Sequence, residues 1–164
     1  MASLVDQREG LQPASIARLI ALLLPAALLG GALGSQYLGG LNPCEMCYWQ
    51  RWPHAAAILL AGSAFAFAAS SQTARVLVIL AGLAITISGS IGVYHAGVEA
   101  GWWEGLTTCA ATGGATLDAI LSAPLIRCDQ AQFEFLGISM AGWNAILSLG
   151  GALVILWLIL QRPR

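Results

Sequence analysis

At 164 residues, 58% of them hydrophobic and only 9% charged, with a mean hydropathy of +0.76, the chain is too apolar for a soluble domain of this size. Its formal net charge of −1 comes from seven basic residues, all arginine, against eight acidic ones. No basic surface is left to meet a phosphate backbone, so nucleic acid is excluded as a partner and the lipid bilayer takes its place.

Residues 1 to 15 are polar and read as a frayed tail. Four apolar stretches follow, at about 16–38, 48–69, 75–96 and 140–160, each near the ~20 residues that cross ~30 Å of hydrocarbon. The expected fold is therefore an all-α membrane protein: one four-helix transmembrane bundle over residues 1–164, with outer loops at about 39–47 and 97–139. An even number of spans puts both termini on one side. Arg8, Arg18, Arg75, Arg162 and Arg164 fall there, whereas the other side holds Arg51 and Arg127 with Glu45, Glu99, Glu104, Asp118, Asp129 and Glu134. Positive residues stay inside, so the termini are expected in the cytoplasm and the loops outside; in a bacterium that is the periplasm, where disulfides persist. Trp49, Trp52, Trp102, Trp103 and Trp143 at the outer edges and Trp157 near an inner one agree, because Trp prefers the headgroup boundary. The first stretch, with Arg18 ahead of it and Gly31, Ala32, Gly34 and Ser35 behind, also fits a cleaved signal peptide; a retained span is the preferred reading.

Close helix packing in lipid relies on small residues, and Gly30 with Gly34, Ala57 with Ala61, and Ser88 with Gly92 supply such faces. The 97–139 loop is too long for a connector. Within it Leu117, Ile120, Leu121 and Leu125 recur at helical spacing opposite Asp118, predicting a short amphipathic helix on the membrane surface that ends at Pro124.

The chemistry lies in four cysteines. Cys44 and Cys47 form a Cys-x-x-Cys pair at the mouth of the second span; Cys109 and Cys128 fall together in the long loop, with Gly113 and Gly114 making Cys109 the more accessible. A helix beginning near Cys47 would place Cys47, Arg51 and His54 on one stripe, a thiolate facing a cation, and Pro53 would free the carbonyl of Trp49 and invite a bend. Such a stripe suits a membrane quinone, which has an apolar tail and polar ring oxygens, and Arg51 would stabilise both the Cys47 thiolate and a developing oxyanion. Glu45 raises thiol pKa values by like charge and gains no role. His95, at the outer end of the third span, reads as a packing residue.

Other readings of the cysteines fit less well. Covalent haem needs His directly after the pair, and Tyr48 stands there. Structural zinc commonly draws on two close pairs, and Cys109 is far in sequence from Cys128. A two-residue gap makes a poor structural staple because it closes almost no chain entropy; Cys109 and Cys128 taken alone are ambiguous. No metal and no haem is expected.

Taken together, Pro43-Cys44-x-x-Cys47 opening the second span, Arg51 four residues on, Gly92-x-Tyr94-His95-x-Gly97, the loop cysteines, and Ser139-Met140-Ala141-Gly142-Trp143-Asn144 entering the fourth span resemble the DsbB family of disulfide bond formation proteins. The resemblance covers nearly the whole chain. It implies a multi-pass oxidoreductase of the bacterial inner membrane that reoxidises a DsbA-type periplasmic thiol oxidase and passes the electrons to quinone, ubiquinone first with menaquinone as the alternative. It also implies roles: Cys109 and Cys128 as the disulfide the partner attacks, at Cys109; Cys44 as the thiol exchanging with the loop; Cys47 facing the quinone with Arg51 as its charge partner. Together with the stripe, Cys47, Arg51 and His54 make the quinone-binding set. A relative devoted to one thiol substrate and a non-enzymatic scaffold braced by disulfides are the alternatives. The vitamin K epoxide reductase family fits worse, because there the active pair follows the loop pair.

Overall fold

The computed structural model describes residues 12–105 and 127–161. Helix α1 runs Pro13–Tyr37, α2 Glu45–Ala64, α3 Gln72–Glu99 and α4 Met140–Leu160; a two-stranded antiparallel hairpin, β1 Glu134–Phe135 with β2 Ile138–Ser139, leads into α4. Three of these helices, α1, α3 and α4, are long and apolar enough to cross a membrane. The 20-residue α2 carries Glu45, Gln50, Arg51 and His54 in its first half, which dilutes its hydropathy. The surface helix expected between Cys109 and Cys128 lies outside the described residues, as does Cys109 itself.

Each helix start has a local cause. Ser71 and Ser139 cap α3 and α4, their Oγ atoms accepting from Ala74 N and Gly142 N at 3.1 Å each. Cys44 takes that position for α2: its sulfur accepts from Cys47 N at 3.3 Å, so the helix begins at Glu45, two residues before the sequence expectation. Pro53 is accommodated without ending α2. Beside it the carbonyl of Gln50 accepts from Ser88 Oγ at 2.9 Å. The hairpin, an addition to the all-α expectation, turns through Leu136 and Gly137 at φ of 54° and 74°; successive left-handed residues of this kind close two-residue loops.

The interior is built from small side chains. Ala17 and Ala21 of α1, Ala57 and Ala61 of α2, and Ala81 of α3 have no exposed surface, whereas Leu23, Leu59, Leu83 and Leu153 point outward. Lipid is as apolar as leucine, so the gain comes from close backbone approach rather than from hiding large side chains. Helix α3 is the centre, packed on α2 and α4. A Cβ at Gly92 would stand 3.0 Å from Ala141 O and 3.1 Å from Ala145 N, so α3 and α4 nearly touch there. Of the three small-residue faces expected, Ala57/Ala61 and Ser88/Gly92 are buried in packing; Gly30 and Gly34 are not, since a Cβ at either would meet nothing within 4 Å.

Candidate active site

The close contact at Gly92 sets the first half of α4 against α3, and from there its Asn144 side chain reaches the polar residues of α2 and α3. Asn144 of α4 donates from Nδ2 to Gln50 Oε1 at 2.7 Å and to the Ser88 carbonyl at 3.2 Å. Its Oδ1 lies 2.8 Å from His54 Nε2 and accepts from Ser148 Oγ at 2.9 Å. Ser88 Oγ stands 2.9 Å from the same His54 nitrogen. Toward the outer end, Gln50 Nε2 is 2.9 Å from His95 Nδ1. An unpaired polar group here would cost about 1–3 kcal/mol, so the network fixes how α2, α3 and α4 register.

At its outer end the network reaches sulfur. Cys44 Sγ lies 3.5 Å from His95 Nε2 and 2.9 Å from Cys47 Sγ. Both thiols stand at the head of α2, ahead of its apolar half, and they titrate apart. Cys47 is held below the ordinary thiol range by the hydrogen bond from the Cys44 thiol, then by the helix-start amide and the Arg51 charge, against the cost of burial. Cys44, the donor to that bond and itself buried, is pushed well up. Of the two sulfurs Cys47 is the more readily deprotonated, and its hydrogen bond with Cys44 is a larger cause than the Arg51 charge.

Cys128 packs beside them. It belongs with Cys44, Met46 and Val98 to one buried cluster against which Cys47 and Tyr94 pack, although 84 residues separate Cys44 from Cys128 in the sequence. Gln132 donates from Nε2 to the Asn42 carbonyl and ties the second loop to the first just ahead of Pro43. Trp103 closes the flank: its ring stacks on Tyr94 with centroids 5.8 Å apart, its Nε1 donates to Tyr94 O at 2.8 Å, and it occupies the space a side chain on Gly97 would take.

Cys47, Arg51 and His54 line one cavity of about 260 Å³ between α1, α2, α4, the end of α3 at His95 and Glu99, and the segment before the hairpin, as a stripe at the predicted spacing would. Its wall is mostly apolar, with Ala27, Leu28 and Met140 among the lining residues. Arg51 reaches across to α1, donating to Gln36 Oε1 and to Ala32 O at 3.1 Å, and its guanidinium carbon lies 5.0 Å from the Tyr48 ring centroid. Two nitrogens on this wall are buried with no hydrogen-bond partner: Arg51 Nε and His54 Nδ1. Buried polar atoms are seldom left so, and an apolar pocket carrying two of them fits an apolar ring with polar oxygens.

The sequence reading missed the weight of His95, taken for a packing residue, and of Gln50 and Glu99, to which it gave no role. A signal existed for His95: it lies in the Gly92–Gly97 segment, where glycine at each end marks close approach. Glu99 stands one turn beyond it on α3, Oε1 3.6 Å from His95 Nε2 and Oε2 buried without a partner.

A helical membrane chain that buries a Cys-x-x-Cys dithiol at a helix start, against a histidine and at the mouth of an apolar cavity, has the build of a membrane thiol oxidoreductase. Its sequence matches the family model described as Disulfide bond formation protein DsbB over residues 14–158, and the chain belongs to that family. Relatives named Disulfide bond formation protein B include one from Methylococcus capsulatus, 33% identical over 80% of this chain and 85% of its own. Another, from Polaromonas sp., is 30% identical over 90% and 92%. An uncharacterised protein from Rickettsia prowazekii is 24% identical over 91% and 89%. No solved structure matches the chain.

Proposed function

We propose that this chain is a quinone-linked thiol oxidase of the bacterial inner membrane that reoxidises a DsbA-type periplasmic dithiol protein and so sustains disulfide formation. The whole of 1–164 forms one four-span domain in this reading, with α2 as the remaining span, both termini cytoplasmic and both cysteine loops periplasmic. The observation that carries it is the juxtaposition of the low-pKa Cys47 sulfur with a cavity whose wall holds the unpartnered Arg51 and His54 nitrogens.

The partner's thiolate attacks the Cys109–Cys128 disulfide at Cys109, forming a mixed disulfide and releasing Cys128 as a thiolate. The partner's second thiol then resolves the mixed disulfide, leaving the partner oxidised and Cys109 and Cys128 reduced. The loop dithiol passes its two electrons to the Cys44–Cys47 disulfide by the same exchange, Cys128 attacking at Cys44 and Cys47 departing as the thiolate. The buried cluster shared by Cys128 and Cys44 supports that pairing, and a low thiol pKa makes Cys47 the better leaving group. Quinone, when bound, supplies the two-electron acceptor that returns the pair to the disulfide. Arg51 orients a ring oxygen through its N–H, His54 Nδ1, an acceptor because Nε2 donates to Asn144 Oδ1, takes the hydroxyl of the reduced ring, and the apolar wall excludes water. Ubiquinone is the first candidate and menaquinone the second.

The test is reoxidation of a reduced DsbA-type protein by the detergent-purified chain, with and without ubiquinone or menaquinone, beside a Cys44→Ser, Cys47→Ser double variant. Turnover is expected only with quinone and the intact pair. Folded protein inert with either quinone would overturn the reading in favour of a dedicated-substrate relative or a scaffold.

A further inference from the structure

The three ligand atoms Cys44 Sγ, Cys47 Sγ and His95 Nε2 all lie within 4.8 Å of one another, and no second trio of this kind occurs among the described residues. Sequence alone gave no reason to join them, because the third ligand comes from α3, 51 residues beyond Cys44. Zinc bonds sulfur at about 2.3 Å and imidazole nitrogen at about 2.0–2.1 Å, so ligands sharing one ion stand roughly 3.3–3.8 Å apart. The Cys44–His95 separation of 3.5 Å already meets this, and the sulfurs, at 2.9 Å, need only part by less than about 1 Å.

Charge and surroundings agree. Gln50 Nε2 donates to the far ring nitrogen of His95 at 2.9 Å, which leaves the ring proton on Nε2 without metal; ligation moves that proton to Nδ1 as the Gln50 amide turns its oxygen to accept it. Beside His95 Nε2, 3.6 Å away, lies the Glu99 carboxyl, which the Ser139 side chain also reaches. The nearby positive charge, Arg51, is drawn off by Gln36 and Ala32 of α1. Two thiolates neutralise a divalent ion, and Glu99 balances Arg51.

We propose that the reduced protein binds one zinc-class divalent cation through Cys44, Cys47 and His95, with Glu99 beside the fourth position, and that this ion locks the dithiol against oxidation. The Cys44 thiol, and Cys47 where it is still protonated, lose their protons to solvent, and two metal–sulfur bonds form with one bond to the imidazole nitrogen; no electron moves. The sulfur pair engaged on the metal cannot form a disulfide until the ion leaves, and the disulfide form, offering no thiolate, does not bind it. Three protein ligands with an open fourth position are the pattern of accessible rather than structural zinc, which suits a reversible inhibitor. The coordination stands on geometry alone; the lock rests on the oxidase reading above.

The experiment is anaerobic titration of the reduced, reductant-free, full-length chain with cobalt(II), followed by zinc displacement. One equivalent of cobalt should give thiolate charge-transfer bands and the intense visible bands of a tetrahedral ion, with about one to two protons released per ion, fewer as pH rises. The oxidised protein should give none. A Cys109→Ser, Cys128→Ser double variant should bind as the wild type does, Cys44→Ser and Cys47→Ser should lose the spectrum, and His95→Ala should weaken binding at least 10-fold, with His95→Cys restoring it. Circular dichroism and thermal melting of each variant check that it is folded. An unchanged affinity in folded His95→Ala, or loss of binding in the loop-cysteine variant, overturns the site. Stoichiometric zinc should also halt reoxidation of the partner, reversed by chelator; tight binding without inhibition overturns the lock. The spectrum needs no turnover, so a failed site and a failed oxidase reading are told apart.

Discussion

His95 Nε2 stands 3.5 Å from Cys44 Sγ, the cap of one helix meeting a side chain near the end of another. The same imidazole touches Gln50 through Nδ1 and lies 3.6 Å from Glu99, so one ring joins the thiol pair, the interhelical network and a buried carboxyl. The chemistry at this end of the bundle is thereby tied to the registration of α2 and α3.

Cys44 has two separable roles. Its sulfur caps α2, and such caps contribute about 0.5–2 kcal/mol. Cys44→Ala is expected to lower the unfolding midpoint in detergent and Cys44→Ser to recover most of the loss, while neither turns over a reduced partner. Equal stability of the two variants would remove the capping role.

Cys47 should react as a thiolate at pH values below the ordinary thiol value of 9.0, because its folded pKa is lowered. In chelator-treated, reduced protein near neutral pH, iodoacetamide should modify Cys47 well before Cys44. Arg51→Gln removes one of the stabilising charges and should slow Cys47 alkylation roughly 3- to 10-fold there. The difference should fade as pH rises past 9.0, where both proteins are thiolate. A constant ratio across pH would mean that Arg51 acts through packing instead.

Gly92 and Gly30 form a matched pair. Any side chain at Gly92 presses on the α4 backbone at 3.0–3.1 Å. Gly92→Val is expected to cost about 1–3 kcal/mol or more and to slow turnover by parting Asn144 from Ser88 and Gln50. Gly30→Ala meets nothing within 4 Å and should be neutral or stabilise by up to about 1 kcal/mol. Thermal unfolding in one detergent compares them; a destabilised Gly30→Ala would show that this face packs on something outside the bundle.

Arg18 fastens the opposite end. Its NH1 donates to Ala64 O at 3.2 Å and to Phe67 O at 3.0 Å, where α2 runs out of internal partners, and its guanidinium carbon lies 4.2 Å from the Phe65 ring centroid. Arg18→Ala should expose residues 64–67 to faster hydrogen exchange and lower the melting temperature by a few degrees, about 1–2 kcal/mol in effect. Oxidase turnover should be nearly unchanged, since this end lies far from the thiols along α2. A large loss of turnover would show that the two ends are coupled.

What sequence determined by itself was whatever depends on local pattern: apolar runs long enough to cross a bilayer, the Cys-x-x-Cys pair at a helix mouth, and the spacing that brings Cys47, Arg51 and His54 to one side of α2. Helical geometry fixes such relations over a few turns, so they survive into the structure. Tertiary structure alone decided which helices meet. Gly92 lets α4 approach α3, and only then can Asn144 reach Gln50 and His54. His95 stands beside Cys44, and Cys128 in the same buried cluster, because chain segments 51 and 84 residues away fold back onto the head of α2. The start of α2 at Glu45 likewise followed from a sulfur acting as cap, a hydrogen bond that side-chain position decides and periodicity does not record. Gly30 and Gly34 show the same limit from the other side: their spacing permits close packing, but among the described residues nothing comes within 4 Å of where their Cβ atoms would stand.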